Sequence, residues 1–132
     1  MARLKIGEIE AIAGRTVDYD AAIYEGDGRT ALNIAADDKV RFKLADTENG
    51  TPTLDIVSGT PTANGSTVTI SGTTPGTCTV RLAQGDTSTL SGTKYWELIL
   101  IDNSETSPAD AAKTICYGTM VFKPSMGGSI GL

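Results

Sequence analysis

Residues that could carry out chemistry are few in this 132-residue chain. Glu97 could pair with Glu25 as the two carboxylates of a glycoside hydrolase. No spacing along the chain supports that pairing, and an ion pair or an edge position is the simpler explanation for Glu97. The chain has no histidine, which excludes a Ser–His–Asp triad and leaves Cys78 and Cys116 without the usual partner base. We therefore expect no catalytic residue and no enzyme activity.

One acidic segment offers oxygen ligands for a cation. The turn Glu25–Gly28, with Asp37 and Asp38 downstream, could bind Ca²⁺ through carboxylate and carbonyl oxygens. The segment lacks the EF-hand spacing and a third anchored carboxylate, so ordinary turn chemistry explains it better. No glycine motif for phosphate binding is present. We expect no metal and no cofactor.

The two cysteines leave two possibilities open. Cys78 and Cys116 could form a disulfide, or they could be buried free thiols on neighbouring strands. The N-terminal segment carries Glu8 and Glu10 where a signal peptide needs an unbroken apolar core. We therefore expect synthesis and use without export, which favours free thiols.

The charge distribution argues against two classes of partner. The net charge is −5 and the basic residues are scattered. Lys39, Arg41 and Lys43 alternate along one predicted strand, which is more typical of a solvated face than of a phosphate track. No run approaches the ~20 apolar residues of a membrane span. We expect no direct nucleic-acid binding and no membrane insertion.

The elements that must position any site are β-strands. In the run Asp86–Asp102, apolar residues recur with a period of two. One face carries Trp96, Leu98 and Leu100, and the other carries Tyr95, Glu97, Ile99 and Ile101. Both faces are largely apolar, which predicts a central strand or one whose second face meets a partner. Tyr95, Ile99 and Ile101 are therefore candidate interface residues.

Short runs of this kind, separated by Gly- and Pro-rich turns, give about seven or eight strands. This pattern predicts an all-β, antiparallel β-sandwich with no helix of useful length. Single helical turns are possible at 85–90, where Asp86 could cap, and at 107–113, which could instead be a hairpin loop. Trp96 and Tyr95 could form a sugar-stacking platform, but core packing is the better interpretation of Trp96. The predicted core residues are Trp96, Leu98, Phe42, Val40, Val80 and Leu82.

Neither end of the chain shows the two-residue alternation of apolar residues that marks the predicted strands. We divide the chain into an N-terminal arm (1–14), a β-sandwich (15–124) and a C-terminal tail (125–132). The ends carry isolated apolar residues that a solvated tail does not need, and they are further candidate interface residues: Leu4, Ile6, Ile9, Ile12, Ile130 and Leu132. Such extended segments could fray, or they could become ordered on a neighbouring subunit.

Several short sequence segments of the chain resemble the Ig-like domains of tailed-bacteriophage virion proteins. That family includes the N-terminal domain of upper-baseplate proteins and capsid decoration modules. The segments are Val40–Leu44, Gly76–Leu82 with Asp86 and Thr87, Leu90 with Gly92 and Thr93, Trp96–Leu98 with Asp102, and Gly118–Pro124. The family's tyrosine two residues before the tryptophan is Lys94 here. A β-bulge near Gly92 could restore its corner contact from Tyr95.

The resemblance implies an Ig-like fold and a structural role in the virion. It implies a capsid decoration or cement protein that binds the major capsid protein or other virion proteins and forms a homo-oligomer on the particle. A tail or baseplate adaptor is the alternative within this class. A carbohydrate- or host-surface-binding module is the alternative from another class.

Overall fold

The computed structural model describes residues 4–5, 7–22, 33–34, 38–48, 50–73, 76–101 and 112–124. These residues form short strands and one helical turn. The elements are β1 (Leu4–Lys5), β2 (Ile9–Ile12), β3 (Val17–Ala22), β4 (Lys39–Ala45), β5 (Pro52–Val57), β6 (Thr67–Thr73), β7 (Gly76–Leu82), α1 (Gln84–Thr87), β8 (Gly92–Ile101) and β9 (Ala112–Lys123).

The strands form two sheets. The larger has six strands in the order β1-β9-β8-β4-β5, with β2 also pairing with β9, and the smaller has the order β3-β7-β6. The two N-terminal strands run parallel to β9, whereas the other pairs are antiparallel. Two sheets of mostly antiparallel strands enclosing one core are the arrangement of an Ig-like β-sandwich. The predicted fold class, an all-β, Ig-like β-sandwich, is confirmed.

The core between the sheets is built from the alternating apolar positions of the strands. All six predicted core residues are buried and belong to one cluster. Trp96 on β8 is only 3 % exposed. Its indole ring contacts Tyr19 of β3 edge-on at a centroid distance of 5.4 Å and stacks on Phe42 of β4 at 6.0 Å. These aromatic contacts join the two sheets at the centre of the sandwich.

The N-terminal segment differs from the predicted separate arm. Ile9–Ile12 pairs with Met120–Lys123 of β9, and Leu4–Lys5 pairs with Cys116 and Tyr117. Ala11 is buried in the core and Ile9 packs against it. The segment therefore completes one edge of the large sheet. The predicted C-terminal tail lies outside the described residues.

The short helix α1 is present, but Asp86 does not cap it. The N-cap position is Ala83 and has no side-chain cap. Instead, the Asp86 carboxylate accepts hydrogen bonds from Thr62 Oγ1 (2.6 Å), Asn64 Nδ2 (2.8 Å) and the Ser66 hydroxyl. These hydrogen bonds hold the pKa of Asp86 below its ordinary value despite opposing desolvation. Asp86 thus ties α1 to the β5–β6 turn. Of the second possible helical turn, Ala112 and Lys113 belong to β9, and the rest lies outside the described residues.

Both cysteines are free and buried, on strands of opposite sheets. Burial raises the pKa of Cys78 to about 11 and that of Cys116 to about 12. Because the thiolate is the nucleophilic form, these thiols are inert at neutral pH. Of the two possibilities left open by the sequence, the structure has the free thiols.

Candidate interaction surface

The outward face of the three-stranded sheet is polar. Register places Asp18 opposite Arg81 and Asp20 opposite Thr79. The Arg81 guanidinium donates to both Asp18 carboxylate oxygens (2.7 and 3.1 Å), and Thr79 donates to Asp20 (2.7 Å). The rest of this face is mainly hydroxyl-bearing, with Thr67, Thr69, Ser71 and Thr77. Several of its polar groups hydrogen-bond to one another, as expected of a solvated surface.

The outward face of the six-stranded sheet has a different composition. Its charged residues include Lys39, Arg41, Lys43, Asp55 and Glu97 on β4 and its neighbours, and the ion-paired Glu10 and Lys123 on β2 and β9. The Arg41 guanidinium forms two hydrogen bonds of 2.6 Å with Asp55, and these hydrogen bonds lower the pKa of Asp55. Between and beside these charges lie large apolar or aromatic side chains: Val57, Tyr95, Ile99, Ile101, Tyr117 and Val121. One face of the sandwich is therefore amphipathic and the opposite one polar.

A cleft of about 420 Å³ opens on this amphipathic face. Its chemically distinctive lining residues are Lys43 of β4, Tyr95 and Glu97 of β8, Tyr117 and Thr119 of β9, and Glu48 of the β4–β5 turn. Register explains the grouping. Lys43 lies opposite Glu97, Glu97 opposite Tyr117, and Tyr95 opposite Thr119. Directly opposed side chains lie about 5 Å apart at Cβ, so three strands contribute neighbouring groups.

Three of these residues, Glu48, Tyr117 and Thr119, were missed by the sequence analysis. For the two residues on β9, the sequence did contain a pattern. Tyr117, Thr119 and Val121 alternate along the strand with Cys116, Met120 and Phe122, which are buried on its other face. This alternation predicts the face of the sheet on which the side chains lie, but it does not predict which residues of β8 lie beside them. Only the register of β9 against β8 brings Tyr117 beside Glu97.

The structure also decides whether a β-bulge near Gly92 changes the face on which Tyr95 lies. The register shift between β8 and β9 lies at Leu98/Ile99, and Gly92 to Leu98 pair regularly with β9. Tyr95 therefore stays on the outward face. Lys94 takes the inward direction opposite Met120 and pairs with Asp46 at 2.5 Å, with its side chain only 14 % exposed. An ion pair thus holds Lys94 at the inward position two residues before Trp96.

The candidate interface residues on β8 have different outcomes. Tyr95 and Ile101 are partly exposed. The expectation for Ile99 is wrong, because this residue is only 7 % exposed. Ile99 is outward by register but lies on a central strand, flanked by Arg41 on β4 and Thr114 on β9. Neighbouring strands on both sides leave it little accessible surface.

The terminal candidates divide in the same way. Ile12 is 42 % exposed and lies on the outward face of β2. Ile9 points the other way and packs against the core. Leu4 belongs to β1, while Ile6, Ile130 and Leu132 lie outside the described residues.

The structure also bears on the residues that the sequence offered for sugar or metal binding. Trp96 is buried, so it is no sugar platform, and its role in the core is confirmed. Asp38 is also buried. The predicted acidic turn Glu25–Gly28 and Asp37 lie outside the described residues. Across the described ranges, no group of three or more Cys, Asp or Glu residues is arranged to hold a metal ion. None of the helical segments described is long and apolar enough to cross a membrane.

Comparison with known proteins gives likeness in fold only. No family model matches the chain, and no curated protein matches it. Among solved structures, it is similar to a chain of the ZIG-8–RIG-5 IG1–IG1 heterodimer, with a TM-score of 0.43 and 10 % identity over 92 % of this chain and 83 % of that one. It is also similar to the natural killer cell receptor NKp44, with a TM-score of 0.41 and 12 % identity over 95 % of this chain and 100 % of that one.

Proposed function

We propose that the protein is a non-enzymatic structural component of a tailed-bacteriophage virion that decorates the capsid by binding the major capsid protein. The observation that carries a binding role is the contrast between the two outward faces. One is polar throughout the described strands apart from Ala22. The other presents Tyr95 and Tyr117 in a cleft, and Ile101 further along β8. Amphipathic patches with exposed aromatic side chains favour protein–protein contact. The virion context is supported by the resemblance of segments on β4, β7, β8 and β9 to phage Ig-like domains.

The mechanism is adhesion. The sandwich would lie with its six-stranded sheet against neighbouring capsid subunits, in the virion assembled in the host cytoplasm. Many copies of the protein on one shell, acting as a homo-oligomer, need only modest contacts each, because multivalent attachment multiplies weak affinities. No cofactor, nucleic acid or membrane takes part in this mechanism.

The two alternatives differ in their partner. A tail or baseplate adaptor would use the same face on a different virion protein. A carbohydrate- or host-surface-binding module would use Tyr95 and Tyr117 as stacking surfaces. Their partial exposure in one cleft makes them better stacking surfaces than the buried Trp96.

Reconstitution tests the proposal directly. Purified protein is mixed with capsids that lack their decoration protein and, separately, with isolated tails of the same phage, and bound protein is measured by co-sedimentation. Saturable binding to capsids at a fixed number of copies per capsomer is expected. Binding to tails alone would establish the adaptor role, and binding to neither particle would refute the virion role.

A further inference from the structure

The cleft on the amphipathic face carries an excess of negative charge. Among its lining residues, Lys43 is cationic, and Glu48 and Glu97 are anionic. Lys43 lies in register between Asp55 of β5 and Glu97 of β8. Arg41 is already held by Asp55 through two hydrogen bonds. With Lys43 offsetting one of the two glutamates, the lining keeps a net charge of −1, which favours a cation over an anion.

Aromatic rings lie beside these carboxylates. Tyr95 and Tyr117 line the cleft from adjacent strands and are partly exposed. Their π faces attract cations, and their hydroxyl groups can accept hydrogen bonds. Thr119, opposite Tyr95, adds a further hydroxyl acceptor.

Rings and carboxylates together favour one kind of cation. A guanidinium group is planar, stacks on aromatic faces and donates up to five hydrogen bonds, whereas an ammonium group is a compact and strongly hydrated charge. A cleft of about 420 Å³ is within the usual range for a small bound group and suits a long side chain better than a whole secondary-structure element. A neutral sugar could stack on the rings but would leave the negative charge unmatched.

We propose that this cleft receives an arginine side chain presented by the partner protein. The inference rests on the proposed role as a protein-binding module and names the chemistry of its central contact. The guanidinium stacks on Tyr95 or Tyr117 and donates to carboxylates at the rim, with Glu48 in the exposed position. Buried arginines of this kind are frequent anchors of protein interfaces.

Peptide titration followed by NMR tests the proposal with the full chain. The ¹⁵N-labelled protein is titrated with acetyl-Gly-Arg-Gly-amide, with the same peptide carrying neutral citrulline, and with a neutral oligosaccharide. Shift changes at the amides of Lys43, Tyr95 and Thr119 are expected with the arginine peptide. The citrulline peptide should bind at least about fivefold more weakly, because it keeps the shape and loses the charge. No shifts, equal binding of citrulline, or shifts with the oligosaccharide alone would overturn the proposal.

Variants locate the site. Glu48→Gln should weaken arginine-peptide binding about two- to fivefold, the range of a single exposed charge contact. Thr69→Ala, on the polar sheet, is the matched control and should leave binding unchanged. Equal affinities of the wild-type protein and Glu48→Gln would contradict the assigned geometry.

The peptide experiment and the capsid experiment can fail independently of each other. If the arginine peptide binds in the cleft but the protein binds no particle, the virion role fails and the cleft chemistry stands. If the protein binds capsids while the arginine peptide leaves the cleft unshifted, the virion role stands and the arginine contact is wrong.

Discussion

At the residue scale, Trp96 couples the two sheets, although its indole is not fully satisfied. The ring contacts Tyr19 from the small sheet and Phe42 from the large one. Within the described part of the chain, its buried Nε1–H has no hydrogen-bond acceptor. An unmet buried donor costs about 1–3 kcal/mol, so packing of the ring must outweigh that cost.

Two substitutions at this position separate packing from polarity. Trp96→Ala should lower the free energy of unfolding by about 3–5 kcal/mol, because it empties the centre of the core. Trp96→Phe should cost clearly less, since it keeps an aromatic ring and removes the unmet donor. Urea unfolding of both variants measures the difference. Equal losses would contradict the importance of the ring contacts.

The buried thiols predict a loss of stability at alkaline pH. Burial raises the pKa of Cys78 to about 11 and that of Cys116 to about 12, from an ordinary value of 9.0. Between these values the folded protein holds protons that the unfolded chain releases, so the free energy of unfolding falls as pH rises above 9. The expected slope is about 1 kcal/mol per pH unit for each thiol. Burial of Tyr19 raises its pKa too and acts in the same direction.

The test is urea unfolding between pH 8 and pH 11 for the wild type and for the Cys78→Ala/Cys116→Ala variant. The variant should lose stability less steeply over this range. Identical slopes would show that the thiols are not the cause.

At the element scale, Asp86 links α1 to the β5–β6 turn. Its carboxylate accepts from three side chains through both oxygens. The amide of asparagine cannot do this, because the NH2 group that replaces one oxygen is a donor. Asp86→Asn should therefore lower the free energy of unfolding by about 1–3 kcal/mol. Asp46→Asn, at the exposed end of the Lys94 ion pair, is the control and should cost less than about 1 kcal/mol.

Acid should reproduce the effect of the Asp86 substitution. Hydrogen bonds hold the pKa of Asp86 below its ordinary value of 3.8. The unfolded state then binds more protons at low pH, so this contribution is fully present above pH 3.8 and is lost as pH falls through the folded pKa. Comparing the acid unfolding of wild type and Asp86→Asn measures it. Parallel losses of stability with acid in both proteins would contradict the assignment to Asp86.

The N-terminal strands give a second prediction at this scale. Deleting residues 1–14 removes the packing of Ile9 and Ala11 and uncovers the edge of β9. We expect a loss of at least ~2 kcal/mol in the free energy of unfolding and increased self-association through the open edge. Ile12→Ser changes only an exposed side chain of β2 and serves as the control. A truncated protein that is as stable as the full chain would make this segment a dispensable arm.

What the sequence could predict follows from the range of the interactions involved. The period of two along β4, β7 and β8 is local, and it gave the strands, the fold class and the six core residues correctly. The pairing of β2 with β9 joins segments more than 100 residues apart, and the four residues of β2 carry too short a pattern to reveal it. Burial of Ile99 likewise depends on strands on both of its sides. The cleft arises from the register of three strands, which no local pattern contains.

At the scale of the whole molecule, the contrast between the two outward faces predicts which side of the sandwich binds a partner. Tyr95→Lys with Ile101→Lys places two charges on the amphipathic face at partly exposed positions. Thr69→Lys with Thr79→Lys places the same charges on the polar face. Both pairs alter outward side chains of strands, so both proteins should fold, which circular dichroism and urea unfolding can verify.

Attachment to particles should then depend on the face and not on the net charge. The first pair should reduce capsid binding at least about tenfold, because two desolvated contacts are lost and buried charge is introduced. The second pair should bind like the wild type, because it places the same added charge on the face that does not contact the capsid. Co-sedimentation with undecorated capsids measures both. Loss of binding only in the Thr69/Thr79 variant would move the interface to the three-stranded sheet, and equal loss in both would assign attachment to long-range electrostatics instead of to a docked face.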